Sequence, residues 1–284
     1  MTDSEFVPFE CVTIVGVGLM GGSLGLAIRE RGLARRVVGV ERDATVLGRA
    51  IERGAIDFGT AELAESVRHA DCVVLATPVG TIPTLLEALV PHCRPDALIT
   101  DLGSTKTRIV EAGTRLFGNR FVGGHPMAGS EEGGIEASSA DLFSGAAWAI
   151  VRPAPFTPIN DHYTLRLMAL VTALQTRPVL LDAALHDRLV ALVSHLPHIL
   201  SFSFAHTLHA LPDSEQARAL AAGSFRDMMR VSVADPVLWS DILHDNRAAL
   251  LEIVTSFESQ LQTLKKALEA EEKEPLLTAL RGEN

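Results

Sequence analysis

Short, unbroken apolar runs rich in β-branched residues alternate with longer amphipathic stretches over the first part of the chain. Val12 to Val15, Val37 to Val40, Cys72 to Ala76, Leu98 to Asp101, Phe121 to Gly123 and Ala147 to Val151 are such runs. Each reads as a strand covered on both faces. Between the first four lie segments with helical spacing, Gly22 to Arg31, Ala44 to Arg53 and Thr81 to Val90. Strand and helix in alternation predict a doubly wound, mostly parallel sheet. Pro153, Pro155 and Pro158 crowd one stretch and resemble a linker, but Arg177 to Leu181 again reads as a strand that returns the chain to the sheet. The boundary is therefore expected near Asp182, with residues 1–182 as one domain and 183–284 as another. From Ala184 onward the spacing is helical. Leu250, Ile253, Val254, Phe257, Leu261, Leu264 and Leu268 recur at steps of three and four, one apolar stripe on a long helix. Such a stripe packs either inside a helical core or against a second copy of the same domain, and the latter predicts a homodimer.

Composition narrows the partners. A chain of 284 residues that is 47% hydrophobic suits two ordinary domains. Its net charge of -10, from 35 acidic and 25 basic residues, argues against nucleic acid or an anionic membrane as partner. An anionic small ligand remains compatible, because a helix N-terminus or one placed arginine holds an anion inside an acidic protein. Cys11, Cys72 and Cys93 are an odd number in mostly apolar surroundings, so no disulfide framework is expected. The acidic start lacks the order of a secretory signal, and no purely apolar stretch approaches about twenty residues. A cytoplasmic protein is expected.

The first strand runs directly into Gly16-Val17-Gly18-Leu19-Met20-Gly21 and then a helix, the G-x-G-x-x-G arrangement in its required context. Gly16 permits the tight turn, Gly18 lets backbone approach a pyrophosphate, and Gly21 lets helix and strand pack closely, while the N–H groups that open the helix at Leu19 and Met20 face the anion. This is the fingerprint of a Rossmann domain. The second strand ends at Glu41, placed to accept hydrogen bonds from a ribose hydroxyl, which selects NAD. Arg42 complicates the choice, since an arginine there can receive a 2′-phosphate; the charge of Glu41 opposes that phosphate, so NADP is less favoured. The loop Thr77-Pro78-Val79, after another strand on the same carboxyl edge, is expected to border the dinucleotide.

Two further strand ends carry polar residues, Asp101-Leu102-Gly103-Ser104-Thr105-Lys106 and Gly123-Gly124-His125-Pro126-Met127-Ala128-Gly129-Ser130-Glu131. A lone histidine is ordinarily structural. Beside a nicotinamide site, however, His125 has the titration range of a general base. In the helical part, His195 and His198, with His206 and His209 eleven residues on, tempt a metal reading. On one continuous helix the two pairs lie about 16 Å apart, and no carboxylate or cysteine completes either, so no metal is expected.

The segments GGHPMAGSE, DLGSTK, SHLPH and FRDMMR together resemble the prephenate and arogenate dehydrogenases, from Val12 to about Phe257. The resemblance implies an NAD-dependent oxidation and decarboxylation of a cyclohexadienol dicarboxylate on the way to tyrosine, with a helical second domain that dimerises. It implies that His125 takes the proton of the ring C4 hydroxyl, that Ser104 bonds that hydroxyl or the histidine, and that Arg230 holds a substrate carboxylate. Ser194 and His198 are implied to bind the substrate side chain. Asp227, three residues before Arg230, either shares the substrate site or forms a surface ion pair with it. Trp239 either lines the pocket or fills core, and Glu131 either gates the site or caps the segment after it. Two rivals stand beside this reading. A dehydrogenase of 3-hydroxy acids would use a lysine of the helical domain, yet Ala184 to Arg247 contains none; a non-catalytic dinucleotide sensor would need neither His125 nor Arg230. Prephenate and arogenate are not separated by these residues. An end at Asn284 leaves no space for a regulatory domain of the kind some relatives carry.

Overall fold

A computed structural model of the chain describes residues 6–130, 132–153 and 161–282. Glu131, Pro155 and Pro158 lie outside the described residues. Eight strands form the sheet: β1 Val12–Val15, β2 Val37–Val40, β3 Phe58–Thr60, β4 Cys72–Leu75, β5 Leu98–Asp101, β6 Phe121–Pro126, β7 Ala147–Arg152 and β8 Arg177–Asp182. Their order is β3-β2-β1-β4-β5-β6-β7-β8, and every pairing is parallel except β6 with β7. The sheet is thus the doubly wound, mostly parallel one expected, with the reversal of strand order beside β1.

The apolar runs are unbroken because both faces of the central strands are covered. Successive residues of one strand enter different cores: Val12 and Ile14 of β1, Cys72 and Val74 of β4 and Ile150 of β7 join Leu24, Ile28, Leu167 and Leu170 on one face. Val15, Val73, Leu75, Ala149 and Val151 join Ile82, Leu86, Ile109 and Val110 on the other. At a side-chain period of two, a strand can be apolar throughout only in this arrangement. Strand β3 escapes the sequence reading because it is three residues long, contains Gly59 and leaves Phe58 half exposed at the sheet edge. Strand β6 is longer than expected. It continues past Gly123 to Pro126 because β7 pairs antiparallel along it, opposite His125 at Ala149.

The chain divides into two compact units, Met1–Asp187 with Val233–Asp245, and Arg188–Ser232 with Asn246–Asn284. In the first, helix Pro236–Asp245 buries Ile242 in the second core and packs Trp239 against it. Its last residue is tied down by Thr105 Oγ1, which donates to Asp245 Oδ2 at 2.6 Å, and by Arg108, 2.6 Å from Asp245 Oδ1. The second unit is helical throughout its described residues, with the 23-residue helix Arg247–Glu269 its longest element. The helical run Ala183–Ala210 is long and apolar enough, by length and composition alone, to cross a membrane. It nevertheless carries polar groups in specific pairs: Asn246 Nδ2 lies 3.1 Å from His195 Nδ1, and Ser201 Oγ donates to the Met228 carbonyl. Such pairs are those of a helix in a folded core. Serine, histidine and proline interrupt the run, which is why it does not register as a continuous apolar stretch.

Candidate active site

The carboxyl ends of five neighbouring strands carry, in spatial order, Glu41 after β2, Gly16 after β1, Thr77 after β4, Ser104 after β5 and His125 at the end of β6. Strands about 4.8 Å apart spread these positions over roughly 19 Å, a span suited to an elongated ligand laid across the edge.

The turn after β1 is shaped for close approach. Gly16 has φ +91°, and a Cβ there would lie 2.7 Å from the Ala76 carbonyl oxygen of the neighbouring turn. A Cβ on Gly21 would lie 1.9 Å from the Gly16 oxygen, whereas one on Gly18 would meet nothing within 4 Å. The first pair makes the turn, and Gly18 leaves backbone open on its outer side. Helix Leu19–Glu30 starts there with no side-chain cap and no acidic residue in its first turn. Leu19 and Met20 open it. These N–H groups fit the pyrophosphate of a dinucleotide. Glu41 is half-buried and its Oε1 accepts the Arg42 N–H at 2.7 Å, while the Arg42 side chain is exposed. Thr77, Pro78 and Val79 form the turn after β4, held by Thr81 Oγ1, 2.9 Å from Thr77 Oγ1.

The loops bearing Ser104 and His125 are fixed by one buried carboxylate. Asp101 Oδ2 accepts the Gly103 N–H at 2.8 Å and the Lys106 ammonium, and Oδ1 accepts the Gly124 N–H at 3.2 Å. Lys106 and Asp101 are both fully buried. Ser104 is half exposed, and His125 is 7% exposed. Behind His125 stands a group absent from the sequence reading: His125 Nδ1 lies 2.9 Å from His186 Nε2, and His186 Nδ1 lies 2.8 Å from Asp187 Oδ1. Asp187 in turn accepts the Lys106 N–H on Oδ1 and the Thr107 N–H on Oδ2, each at 2.8 Å. Burial pushes the His186 imidazole below its ordinary pKa, against the pull of Asp187. Burial also pushes the Asp187 carboxyl up, but hydrogen bonds from His186 and Thr107 outweigh it and hold the group low. The available signal was a histidine and an aspartate side by side in the apolar helix start Ala183–Val190, a costly placement unless both are paired.

The remaining candidates fall elsewhere. Trp239 is in the first unit, half-buried against its core. Ser194, His198, Asp227 and Arg230 are in the second unit. There a π-helical turn, Ala191–His195, precedes helix Leu196–Ala210; His198 Nδ1 bonds the Ser194 carbonyl at 2.9 Å, and burial lowers its pKa. Helix Gly223–Val231 presents Asp227 and Arg230 on an exposed face. It packs on Leu196–Ala210 through Ser201 with Met228, and through Phe204 with Phe225, whose rings are 5.8 Å apart. The helix that begins within SHLPH and the helix that carries FRDMMR therefore pack together within one unit.

Comparison with known proteins divides the chain between residues 171 and 182, whereas Val233–Asp245 packs with the first unit. Residues 24–171 match the nucleotide-binding domain of prephenate dehydrogenase, and residues 182–282 match its dimerization domain. The chain is 33% identical to a prephenate dehydrogenase of Lactococcus lactis subsp. cremoris, over 89% of this chain and 70% of that one. It is 30% identical to a cyclohexadienyl dehydrogenase of Zymomonas mobilis, over 95% and 92% of the respective chains. Among solved structures, prephenate dehydrogenase from A. aeolicus, in complex with hydroxyphenyl propionate and NAD+, superposes with a TM-score of 0.87 at 31% identity, covering 98% of this chain and 97% of that one. Fold, segments and relatives agree, and the chain belongs to the prephenate dehydrogenase family, as an oxidoreductase.

Proposed function

We propose that this protein oxidises and decarboxylates prephenate with NAD, giving 4-hydroxyphenylpyruvate in tyrosine formation, with arogenate as the alternative substrate giving tyrosine itself. The observation that carries the proposal is the order of Glu41, Gly16, Thr77, Ser104 and His125 along one sheet edge. It runs from a ribose-binding carboxylate, through an anion-binding turn, to a general base. NAD, when bound, accepts the hydride that leaves C4 of the ring. Gly16, Gly18 and Gly21, with the N–H groups of Leu19 and Met20, hold its pyrophosphate; Glu41 takes the ribose hydroxyls beside Arg42, and Thr77, Pro78 and Val79 border its other half. Glu41 favours NAD over NADP.

His125 takes the proton of the C4 hydroxyl, and Ser104 orients that hydroxyl or the imidazole. Oxidation at C4 makes a dienone, into which the electron pair of the bond to the C1 carboxylate flows as carbon dioxide leaves. The ring becomes aromatic, and the proton on His125 returns to the C4 oxygen. By the resemblance, Arg230 holds a substrate carboxylate, and Ser194 and His198 the substrate side chain. Residues 1–182 are taken as the NAD-binding domain, which also carries His125 and Ser104, and 183–284 as the helical substrate and dimerisation domain. A cytoplasmic setting goes with this role.

The test offers the purified protein prephenate and arogenate, each with NAD and NADP, and follows NADH or NADPH absorbance. NAD with one of the two dicarboxylates should turn over, and His125→Asn should lower kcat by about 10²- to 10⁴-fold with NAD affinity unchanged. No turnover with either substrate would leave a dinucleotide sensor as the better reading. Wild-type kcat in His125→Asn would remove the base.

A further inference from the structure

We propose that His186 is a positioning residue for this reaction: backed by Asp187, it fixes His125 in the tautomer that carries its proton on Nδ1 and leaves the lone pair on Nε2 for the substrate hydroxyl. The inference rests on the base assignment above and deepens it.

The chain of hydrogen bonds has one consistent direction. Asp187 accepts two backbone N–H groups at 2.8 Å, from Lys106 and Thr107, the pattern of an ionised carboxylate. Its contact with His186 Nδ1 at 2.8 Å therefore requires that nitrogen to be the donor. His186 is fully buried and neutral, with its pKa lowered by burial, so its Nε2 bears a lone pair. His125 Nδ1, 2.9 Å away, must then donate to it. With its proton committed at Nδ1, His125 presents Nε2 as the basic nitrogen.

The same groups settle what happens when His125 becomes an imidazolium. The groups that face His186 are Asp187 on its own helix, His125 on β6, and Lys106, whose ammonium is already neutralised by Asp101 of β5. Asp187 supplies negative charge behind the ring. It stabilises positive charge on His125 through the shared hydrogen bond, while backbone N–H donors keep the carboxylate from moving. The carboxylate that orients the histidine of a Ser-His-Asp triad acts in the same way, and its change to an amide costs about 10⁴-fold in kcat there. Here a second imidazole is interposed.

The test is the pH dependence of kcat for the full-length enzyme and three variants, with NAD affinity and thermal midpoint measured alongside. Asp187→Asn removes the negative charge behind His186 and leaves one acceptor oxygen for three donors, so the link to His125 is weakened; kcat should fall at least about 100-fold. His186→Gln keeps an acceptor for the His125 N–H but removes the imidazole link to Asp187, so kcat should fall about tenfold and the acid limb of the profile should move down by about one pH unit. His186→Leu should be slower than His186→Gln, and NAD affinity should hold in all three. Equal activity of the Gln and Leu variants, or an acid limb coincident with wild type in His186→Gln, would overturn the assignment. Should His186→Leu not fold, Asp187→Asn and His186→Gln still decide it. The His125→Asn measurement separates the two levels: an inactive His125→Asn with wild-type profiles at 186 and 187 refutes only the positioning role, whereas a fully active one refutes the base itself.

Discussion

Glu41 stands at the end of β2 with its carboxylate turned onto the Arg42 N–H at 2.7 Å, half-buried, beside an exposed arginine side chain. A ribose 2′-hydroxyl can donate to that carboxylate. A 2′-phosphate in its place would put like charges about 4 Å apart, worth roughly 1 to 4 kcal/mol per pair of unit charges between bulk water and a protein surface. Even the lower figure is about a fivefold preference for one pair of unit charges, and a phosphate carries close to two negative charges. Arg42 supplies the opposite pull, but only once the carboxylate is gone. Glu41→Ser should therefore lower the ratio of kcat/KM for NAD over NADP by at least about tenfold, chiefly through KM. Steady-state kinetics with both dinucleotides check this, and an unchanged ratio would place cofactor choice elsewhere.

Two segments at the candidate site depend on Asp101, which accepts N–H groups from Gly103 and Gly124 and holds the Lys106 ammonium, with no exposure of either charged side chain. Removing one member of a fully buried pair leaves the other uncompensated, at a cost of about 3–5 kcal/mol. Lys106→Met should lower the unfolding free energy in denaturant by about that amount, and adding Asp101→Asn should recover part of it. A loss under about 1 kcal/mol would mean that the pair is not buried as described. Such features mark the limit of what the sequence discloses. Strands β1, β2, β4 and β5 were legible because full burial on both faces leaves an unbroken apolar signature, and the glycine turn because a Cβ on Gly21 or Gly16 would lie 1.9 or 2.7 Å from a backbone oxygen. Strand β3, short and at an edge, leaves no such signature. Lys106 reads as a surface residue until a carboxylate five positions earlier is folded against it. His186 meets His125 across 61 residues through the pairing of β6, β7 and β8, a matter of topology and not of periodicity.

Helix Arg247–Glu269 is unevenly covered along its apolar stripe. Leu250 is buried and Ile253, Val254 and Phe257 are half-buried, but farther along the same stripe Leu261 is 52% and Leu268 68% exposed. Leu280, on the following helix Lys273–Arg281, is also 68% exposed. An isolated exposed leucine needs no explanation, but two on the continuation of a buried stripe are where the proposed homodimer contact is placed. A second copy covering it would gain roughly 25 cal/mol for each Å² of apolar surface removed from water, and a stable interface of about 1,600 Å² would take in this stripe and its surroundings. Because these leucines are already exposed within the chain, replacing them should weaken association and leave the fold of each chain almost untouched. Leu261→Glu combined with Leu268→Glu puts two like charges into each copy's half of the contact, where burial without a partner is costly. Sedimentation equilibrium should then move from a dimer toward the single-chain mass of 30.4 kDa, with the far-ultraviolet circular dichroism of wild type retained. A double variant that sediments as wild type would take this stripe out of the interface, and a wild-type protein that sediments at the single-chain mass would end the dimer proposal.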